Sequence, residues 1–394
     1  MIPSILPTYN RAPMTFVKGE GCWVTDIDGT RYLDLGAGIA VNSLGHANPA
    51  LVEALTIQAG QLWHTSNLYG ISGQKELADR LVDATFADTA FFTNSGTEAC
   101  ELAVKMTRKY WFMKGEDRSE IIAFSGSFHG RSAAGIAAAG SEKMTKGFGP
   151  LLPGFTHIPF GDHDAFRAAI SEDTAAVLIE PVQGEGGIIP VPDQCLKGLR
   201  GACDEVGALL IFDEVQCGMG RTGRLFAHEW SGITPDIMMV AKGIGGGFPL
   251  GALLATEAAA VGMTVGTHGS TYGGNPLAMA IGNAVMRIVA DEAFLAEVNR
   301  KAALMRQRLE GLVAGHPDTF ESVRGSGLML GLKCKAANAD VLAAGYDQHI
   351  LTVPAADNAL RILPPLTISD DEIAEAVKRL DRAATVLETT RETA

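Results

Sequence analysis

Between about residues 70 and 285, short apolar runs alternate with stretches of helical periodicity. The runs are Thr89 to Thr93, Ile121 to Phe124, Ala175 to Ile179, Ala208 to Phe212, Ile237 to Val240 and Gly251 to Ala255. Near-continuous apolar runs of this length suit strands buried on both faces. Their alternation with helical patterns predicts a mostly parallel sheet covered by helices on both sides. Ahead of this region, Cys22 to Ile27 and Arg31 to Leu35 flank Asp28-Gly29, a turn pair suited to a hairpin. Asn48-Pro49 reads as an N-cap followed by a first helical residue, opening a helix to about Leu62. After Asn275-Pro276 long amphipathic helical patterns take over, interrupted by strand-like runs at Val323 to Lys333 and Ala359 to Leu363. The last helix opens on Ser369-Asp370-Asp371-Glu372, a capping box. The expected fold is α/β: a large central, mostly parallel sheet domain over residues 46–285, and a smaller α/β domain built from residues 1–45 and 286–394.

Composition narrows the function classes. A chain of 394 residues with 47% hydrophobic and 20% charged residues has the balance of a globular enzyme. A net charge of −13, without any basic run, argues against nucleic acid and anionic membrane surfaces as partners. No apolar stretch approaches the ~18 residues that would suggest a membrane span. The start, Met1-Ile2-Pro3-Ser4, has no secretory pattern, so a cytoplasmic protein is expected. The six cysteines, Cys22, Cys100, Cys195, Cys203, Cys217 and Cys334, form no Cys-x-x-Cys pair and read as free thiols. No His-Glu-x-x-His motif is present, and Asp162-His163-Asp164 reads as a solvated turn more readily than as a metal site, so no metal is expected.

The strand ends carry the chemistry. Lys242 follows Ile237 to Val240 and opens the turn Gly243-Ile244-Gly245-Gly246-Gly247. Asp213 ends the run Ala208 to Phe212. Ligand sites of open α/β sheets collect at such ends. An amine and a carboxylate placed there suit pyridoxal 5'-phosphate, which needs a lysine for its Schiff base and an acid against its ring nitrogen. A P-loop fits poorly, because its lysine follows the glycines whereas Lys242 precedes them. Asn94-Ser95-Gly96-Thr97-Glu98-Ala99 joins a strand to a helix, which makes either an anion site or an ordinary cap. Phe128 and Arg131 follow another strand as a stacking ring and a carboxylate clamp, or as a core aromatic with a surface arginine. Glu180 and Glu185 bracket Pro181-Val182-Gln183-Gly184, where burial of Glu180 demands a partner and Glu185 sits in a glycine-rich loop. Val215 and Gln216 follow Asp213 closely enough to serve a ring face and a polar substituent. Arg361 stands among apolar residues, where a bare guanidinium is costly, so it calls for an anionic partner.

Taken in order, these motifs resemble the class III aminotransferases of fold type I. They are Asn94 to Ala99, Phe128-His129-Gly130-Arg131, Glu180 to Glu185, Asp213-Glu214-Val215-Gln216, Lys242-Gly243 and His268-Gly269-Ser270-Thr271-Tyr272-Gly273-Gly274-Asn275-Pro276. The resemblance covers the chain from about Asn10 to Leu387. It implies that Lys242 holds the cofactor and shuttles the proton while Asp213 pairs with the ring nitrogen. It further implies a ring between Phe128 and Val215, with Gln216 at its phenolic oxygen. Ser95, Gly96 and Thr97 would hold the phosphate, and Thr271 would reach it from the second subunit of a homodimer with shared sites. Arg131 would bind the α-carboxylate of a small-molecule amino donor, and Arg361 a carboxylate of 2-oxoglutarate. Glu185 would gate Arg361, and Ser270 would also lie among the substrate-binding positions.

Within the class, the similarity is greatest to enzymes acting on N-acetylornithine in arginine biosynthesis. Succinyldiaminopimelate, succinylornithine, ornithine and 4-aminobutyrate remain as alternative donors, and an aminomutase as an alternative reaction. Ornithine-specific members carry a tyrosine shortly before a Val-Asn pair. Here Gly38-Ile39-Ala40-Val41-Asn42 has Ile39 at that place, which suits an acylated α-nitrogen.

Overall fold

The computed structural model describes residues 2–392. At its centre a seven-stranded sheet runs in the order Thr89–Thr93, Gly251–Ala255, Ile237–Val240, Leu209–Asp213, Thr174–Ile179, Glu120–Phe124, Phe155–Ile158. Only Gly251–Ala255 lies antiparallel to its neighbours. The expected strands are present with ends shifted by a residue or less. The edge strand Phe155–Ile158 escaped the sequence reading. Its four residues, Phe155-Thr156-His157-Ile158, bury only the last, so they lack the apolar continuity of the central strands.

Alternation within the strands assigns residues to two buried faces. Leu209, Ile211, Ile237 and Met239 face one layer with Ala99, Leu102, Ala103 and Met106 of the helix Gly96–Lys114. Met238, Val240 and Leu254 face the opposite layer with Met279, Val285 and Val289 of the helix Pro276–Val289. Further along that second face, Leu210 and Phe212 pack against Leu196, Leu199 and Cys203 of the helix Asp193–Val206.

Two smaller sheets flank this layer. One pairs Phe16–Glu20, Trp23–Asp26 and Arg31–Asp34 with Ile350–Leu351, joining the two ends of the chain in one sheet. The hairpin turn is fixed by Asp26, whose Oδ1 accepts the Asp28 and Thr30 N–H groups, and by Gly29 at φ 86°. The other sheet runs Phe320–Ser326, Met329–Cys334, Ala359–Ile362, Val353–Ala355. The run read as one strand from Val323 to Lys333 is therefore a hairpin, broken at Gly327 with φ 57°. Glu292–Gly315 and Asp370–Glu392 cover this sheet through a core that includes Met305, Leu309, Ile373 and Leu380.

The capping box at the last helix is formed: Glu372 N–H donates to Ser369 Oγ at 3.2 Å, and Ser369 N–H donates to Glu372 Oε2 at 2.8 Å. Ser369→Ala removes one arm of it. The expected loss, read as a change in unfolding free energy in a denaturant titration, is about 0.5–2 kcal/mol.

Candidate active site

The C-terminal ends of the parallel strands converge on a cavity of about 430 Å³. That volume is within the range of small-molecule sites, roughly 300–1,000 Å³. Its walls include Ser95, Gly96, Thr97, Phe128, Arg131, Asp213, Val215, Gln216 and Lys242. Nine residues named from sequence are thus brought together from four separate turns.

Asp213 ends the central strand and is 4% exposed. Burial of a carboxylate requires partners. Its Oδ2 lies 2.8 Å from Nδ1 of His129, and its Oδ1 accepts the Val215 N–H at 3.0 Å. Burial pulls the His129 pKa down, but the hydrogen bond and charge of Asp213 overcome it, so the net shift is upward. The His129 ring is therefore held in place against the aspartate. Nothing in the sequence singled it out except its place between Phe128 and Arg131, and its partner is 84 residues away.

Glu180 lies one residue beyond Ile179, where the next strand ends. Its Oε1 accepts the Phe128 N–H at 2.9 Å and its Oε2 accepts the Gly184 N–H at 3.0 Å. Burial, then the charge of Asp213, push its carboxyl up to about 7. The partners that sequence reasoning demanded for a buried Glu180 are thus backbone amides.

Lys242 starts a short 3₁₀ turn with φ 49°. The left-handed region costs a non-glycine residue on the order of 1–3 kcal/mol, and such strain concentrates at functional positions. Burial, and next the Arg361 guanidinium, lower its pKa below the ordinary lysine range. The result is an amine with more neutral, nucleophilic character than a surface lysine.

The helix Gly96–Lys114 points its N-terminus into the cavity. The N–H groups of Gly96 and Thr97 have no acceptor within the helix, and the helix dipole favours an anion there. Ser95 caps the helix by accepting the Glu98 N–H at 3.4 Å, and Glu98 returns the contact by accepting the Asn94 N–H at 2.6 Å. A Cβ at Gly96 would stand 2.9 Å from the Val215 methyls, so glycine is required for the turn and Val215 to meet.

Arg361 is buried on the second small sheet, paired with Gly331 on one side and Val353 on the other. It forms an ion pair with Glu185, donates to Pro354 O at 3.0 Å and to Gln216 Oε1 at 3.4 Å. The anionic partner expected for it is Glu185. Arg131 differs: it is exposed, with its guanidinium 5.6 Å from the centroid of the Phe128 ring.

Glu185 and Arg361 adjoin this cavity at Gln216 without lining it, and Thr271, Ser270 and Ile39 are not brought to it by the protomer. Thr271 is exposed, and Ser270 contacts the phosphate-type turn only through Asn94 Nδ2 at 3.4 Å. Ile39 is 37% exposed with φ 63°, and lines a second cavity of about 550 Å³ with Asn42 and Thr352. Val41, two residues on, is what the first segment contributes to the Lys242 cavity. The argument for the donor from Ile39 therefore has no geometric basis within the protomer.

Among the described residues no cluster of three His, Cys, Asp or Glu side chains suits a metal ion. Asp162 caps the helix His163–Ala169 instead, accepting the Ala165 N–H at 2.9 Å. No described helix is long and apolar enough to cross a membrane. All six cysteines are free.

Residues 6–384 match the family model for class-III aminotransferases. The chain is 69% identical to an acetylornithine aminotransferase of Rhodobacter capsulatus over 390 residues, 99% of each chain. Its backbone is similar to that of an N-acetylornithine aminotransferase from Stenotrophomonas maltophilia, with TM-score 0.85, 39% identity and coverage of 97% and 98% of the two chains. An ornithine aminotransferase from Toxoplasma gondii superposes with TM-score 0.94 at 30% identity, covering 98% of this chain and 94% of its own.

The depressed Lys242 pKa has a measurable sign. A base whose folded pKa is lowered destabilises the fold at pH values where the unfolded lysine is charged. Lys242→Met should therefore raise the Tm of the cofactor-free protein at pH 7. The gain should shrink as pH rises toward the ordinary lysine value of about 10.4. A variant that melts below the wild type at pH 7, or a gain that does not depend on pH, would contradict the burial argument.

Proposed function

The chain belongs to the class III aminotransferases, and we propose on that premise that it transfers the terminal amino group of N2-acetylornithine to 2-oxoglutarate. The products are N-acetylglutamate 5-semialdehyde and glutamate, a step of arginine biosynthesis. The observation that carries this reading is the 69% identity, over the full length of both chains, to a relative of that activity. The site supports it with an amine, a clamped aspartate and an arginine covered by Glu185, in and beside one cavity.

The cavity fits pyridoxal 5'-phosphate. The helix N-terminus at Ser95, Gly96 and Thr97 suits a phosphate, and the glycine at 96 leaves room for Val215 beneath a planar ring. Asp213, fixed by His129 and the Val215 N–H, offers a carboxylate for a ring nitrogen. Phe128 and Val215 would bound the ring faces, and Gln216 would meet the phenolic oxygen. When bound, the cofactor supplies a carbonyl carbon for the amine and a protonated ring that absorbs negative charge.

The side chains then have separate tasks. Asp213 would hold a proton on the ring nitrogen, and His129 keeps the Asp213 side chain oriented. Lys242 Nζ would take the proton from the substrate carbon that bears the terminal amine and deliver it to the carbonyl-derived carbon of the cofactor. Arg131 holds the donor's α-carboxylate. Arg361 takes the carboxylate next to the keto group of 2-oxoglutarate once Glu185 withdraws. A homodimer whose second subunit brings Thr271 to the phosphate would complete the site, with Ser270 among the substrate-binding positions; the exposure of Thr271 in the protomer supports this.

The two arginines should separate by half-reaction. Arg361→Ala should slow the single-turnover reaction with 2-oxoglutarate by about 10²-fold or more while sparing the donor step, and Arg131→Ala should do the reverse. Equal damage to both steps by both variants would refute the division of labour.

The donor itself is tested by steady-state kinetics with 2-oxoglutarate. An acylated α-nitrogen carries no charge to desolvate near Arg131, whereas the α-ammonium of ornithine does. N-acetylornithine should exceed ornithine in kcat/KM by roughly 10- to 100-fold. A preference for ornithine, succinylornithine, succinyldiaminopimelate or 4-aminobutyrate would reassign the donor and leave the class unchanged.

A further inference from the structure

Glu180 joins two loops that are separate in sequence. Its two carboxylate oxygens accept backbone N–H groups from Phe128, at 2.9 Å, and from Gly184, at 3.0 Å. Phe128 belongs to the turn that forms one wall of the cavity. Gly184 immediately precedes Glu185, the residue paired with Arg361. The carboxylate is only 4% exposed.

The chemistry of this junction requires a carboxylate. Two amides approach one side chain, each presenting a donor. Glutamate offers two acceptor oxygens to them. Glutamine offers one acceptor and would set its own N–H₂ against the second amide. Aspartate is shorter by one methylene. The placement is also expensive, because the charge is buried beside that of Asp213. A neutral strap already spans the same loops: Gln183 Nε2 donates to Ser125 O at 3.1 Å. The Glu180 strap adds a second link, with two acceptor oxygens on one side chain, between the cavity wall and the residue next to Glu185.

We propose that Glu180 is a positioning residue that ties the Phe128 turn to the Glu185 loop, so that release of Glu185 from Arg361 is transmitted to the aromatic wall of the cavity. The inference rests on the transaminase reading above, in which a dicarboxylate displaces Glu185. Two consequences follow. Binding of the dicarboxylate at Arg361 alters Phe128 even though Phe128 lies on another loop. Loosening the tie leaves Glu185 away from Arg361 for a larger fraction of the time, which raises apparent affinity for the dicarboxylate in proportion to that fraction.

The test uses the cofactor-loaded enzyme and glutarate, a dicarboxylate without a keto group. In the wild type, saturating glutarate should speed amide exchange in the segment containing Gly184 by about fivefold or more, and the segment containing Phe128 should respond in parallel. In Glu180→Gln the Gly184 segment should exchange rapidly without glutarate, and the Phe128 segment should no longer respond to it. The same variant should show a KM for 2-oxoglutarate lowered by roughly two- to fivefold together with a kcat lowered by about tenfold. A slower donor half-reaction alone would lower kcat and KM together, so affinity is also read by single-turnover titration of the amino-form enzyme with 2-oxoglutarate, where a merely structural defect would not tighten binding. A wild-type response confined to the Gly184 segment overturns the proposal, and that arm decides alone if the variant does not fold. A variant with wild-type coupling and constants overturns it as well. Wild-type enzyme that does not turn over 2-oxoglutarate overturns the transaminase reading and this proposal together, whereas turnover with uncoupled segments overturns only this one.

Discussion

Two buried carboxylates, Asp213 and Glu180, lie near enough for the charge of one to raise the pKa of the other, and the site is organised around satisfying both. Among the described residues neither has a lysine or arginine as its hydrogen-bond partner. Asp213 takes an imidazole and one backbone amide, whereas Glu180 takes two backbone amides. Each solution draws on a residue from a different strand-end turn. Satisfying the two carboxylates therefore ties the turns at residues 125–131, 180–184 and 213–216 into one connected rim. Lys242 enters this rim in a strained conformation, with Arg361 close enough to lower its proton affinity.

Much of this was legible in the sequence because the relevant signals are local. A strand with every residue buried reads as an apolar run, and a polar residue ending that run reads as a strand-end group. That logic found Asp213, Lys242 and Glu180, and it found the need for a partner at Arg361. It could not find His129, because a histidine in a turn looks alike whether it faces solvent or an aspartate 84 residues away. It missed the strand Phe155–Ile158 because an edge strand with one buried residue has no apolar run to see. It merged the hairpin from Phe320 to Cys334, because the glycine turn at Gly325-Ser326-Gly327 sits inside continuous strand-like sequence. The roles of Thr271 and Ser270 came only from family resemblance, since neither enters the cavity of its own protomer.

Backbone similarity and sequence identity rank the relatives differently. The ornithine aminotransferase superposes with the higher TM-score, 0.94 against 0.85, yet is 30% identical where the N-acetylornithine enzyme is 39% identical. A scaffold of this kind fixes where the strand ends lie, and with them the amine, the acid and the anion-binding helix. It does not choose between donors that differ in one charge on an α-nitrogen. That choice is made by side chains at the rim, and Ile39, the residue that suggested an answer from sequence, lies in a neighbouring cavity.

The sheet that holds Arg361 has a consequence of its own. Arg361 sits on a strand with neighbours on both sides, so its backbone is fixed by two ladders. Glu185 sits in a glycine-rich loop anchored at Gly184 and Ala356, whose N–H donates to Glu185 O at 2.9 Å. The cation is carried on a strand and the anion on a loop. Under the proposed gating by Glu185, one pocket would present two different net charges without any rearrangement of its framework. With Glu185 in place, the arginine's charge is cancelled and a monoanion meets no competing attraction. With Glu185 withdrawn, the same atoms offer a full positive charge to a dianion. Such a pocket can be retuned over evolution by altering a few loop residues, while the strands beneath keep their sequence.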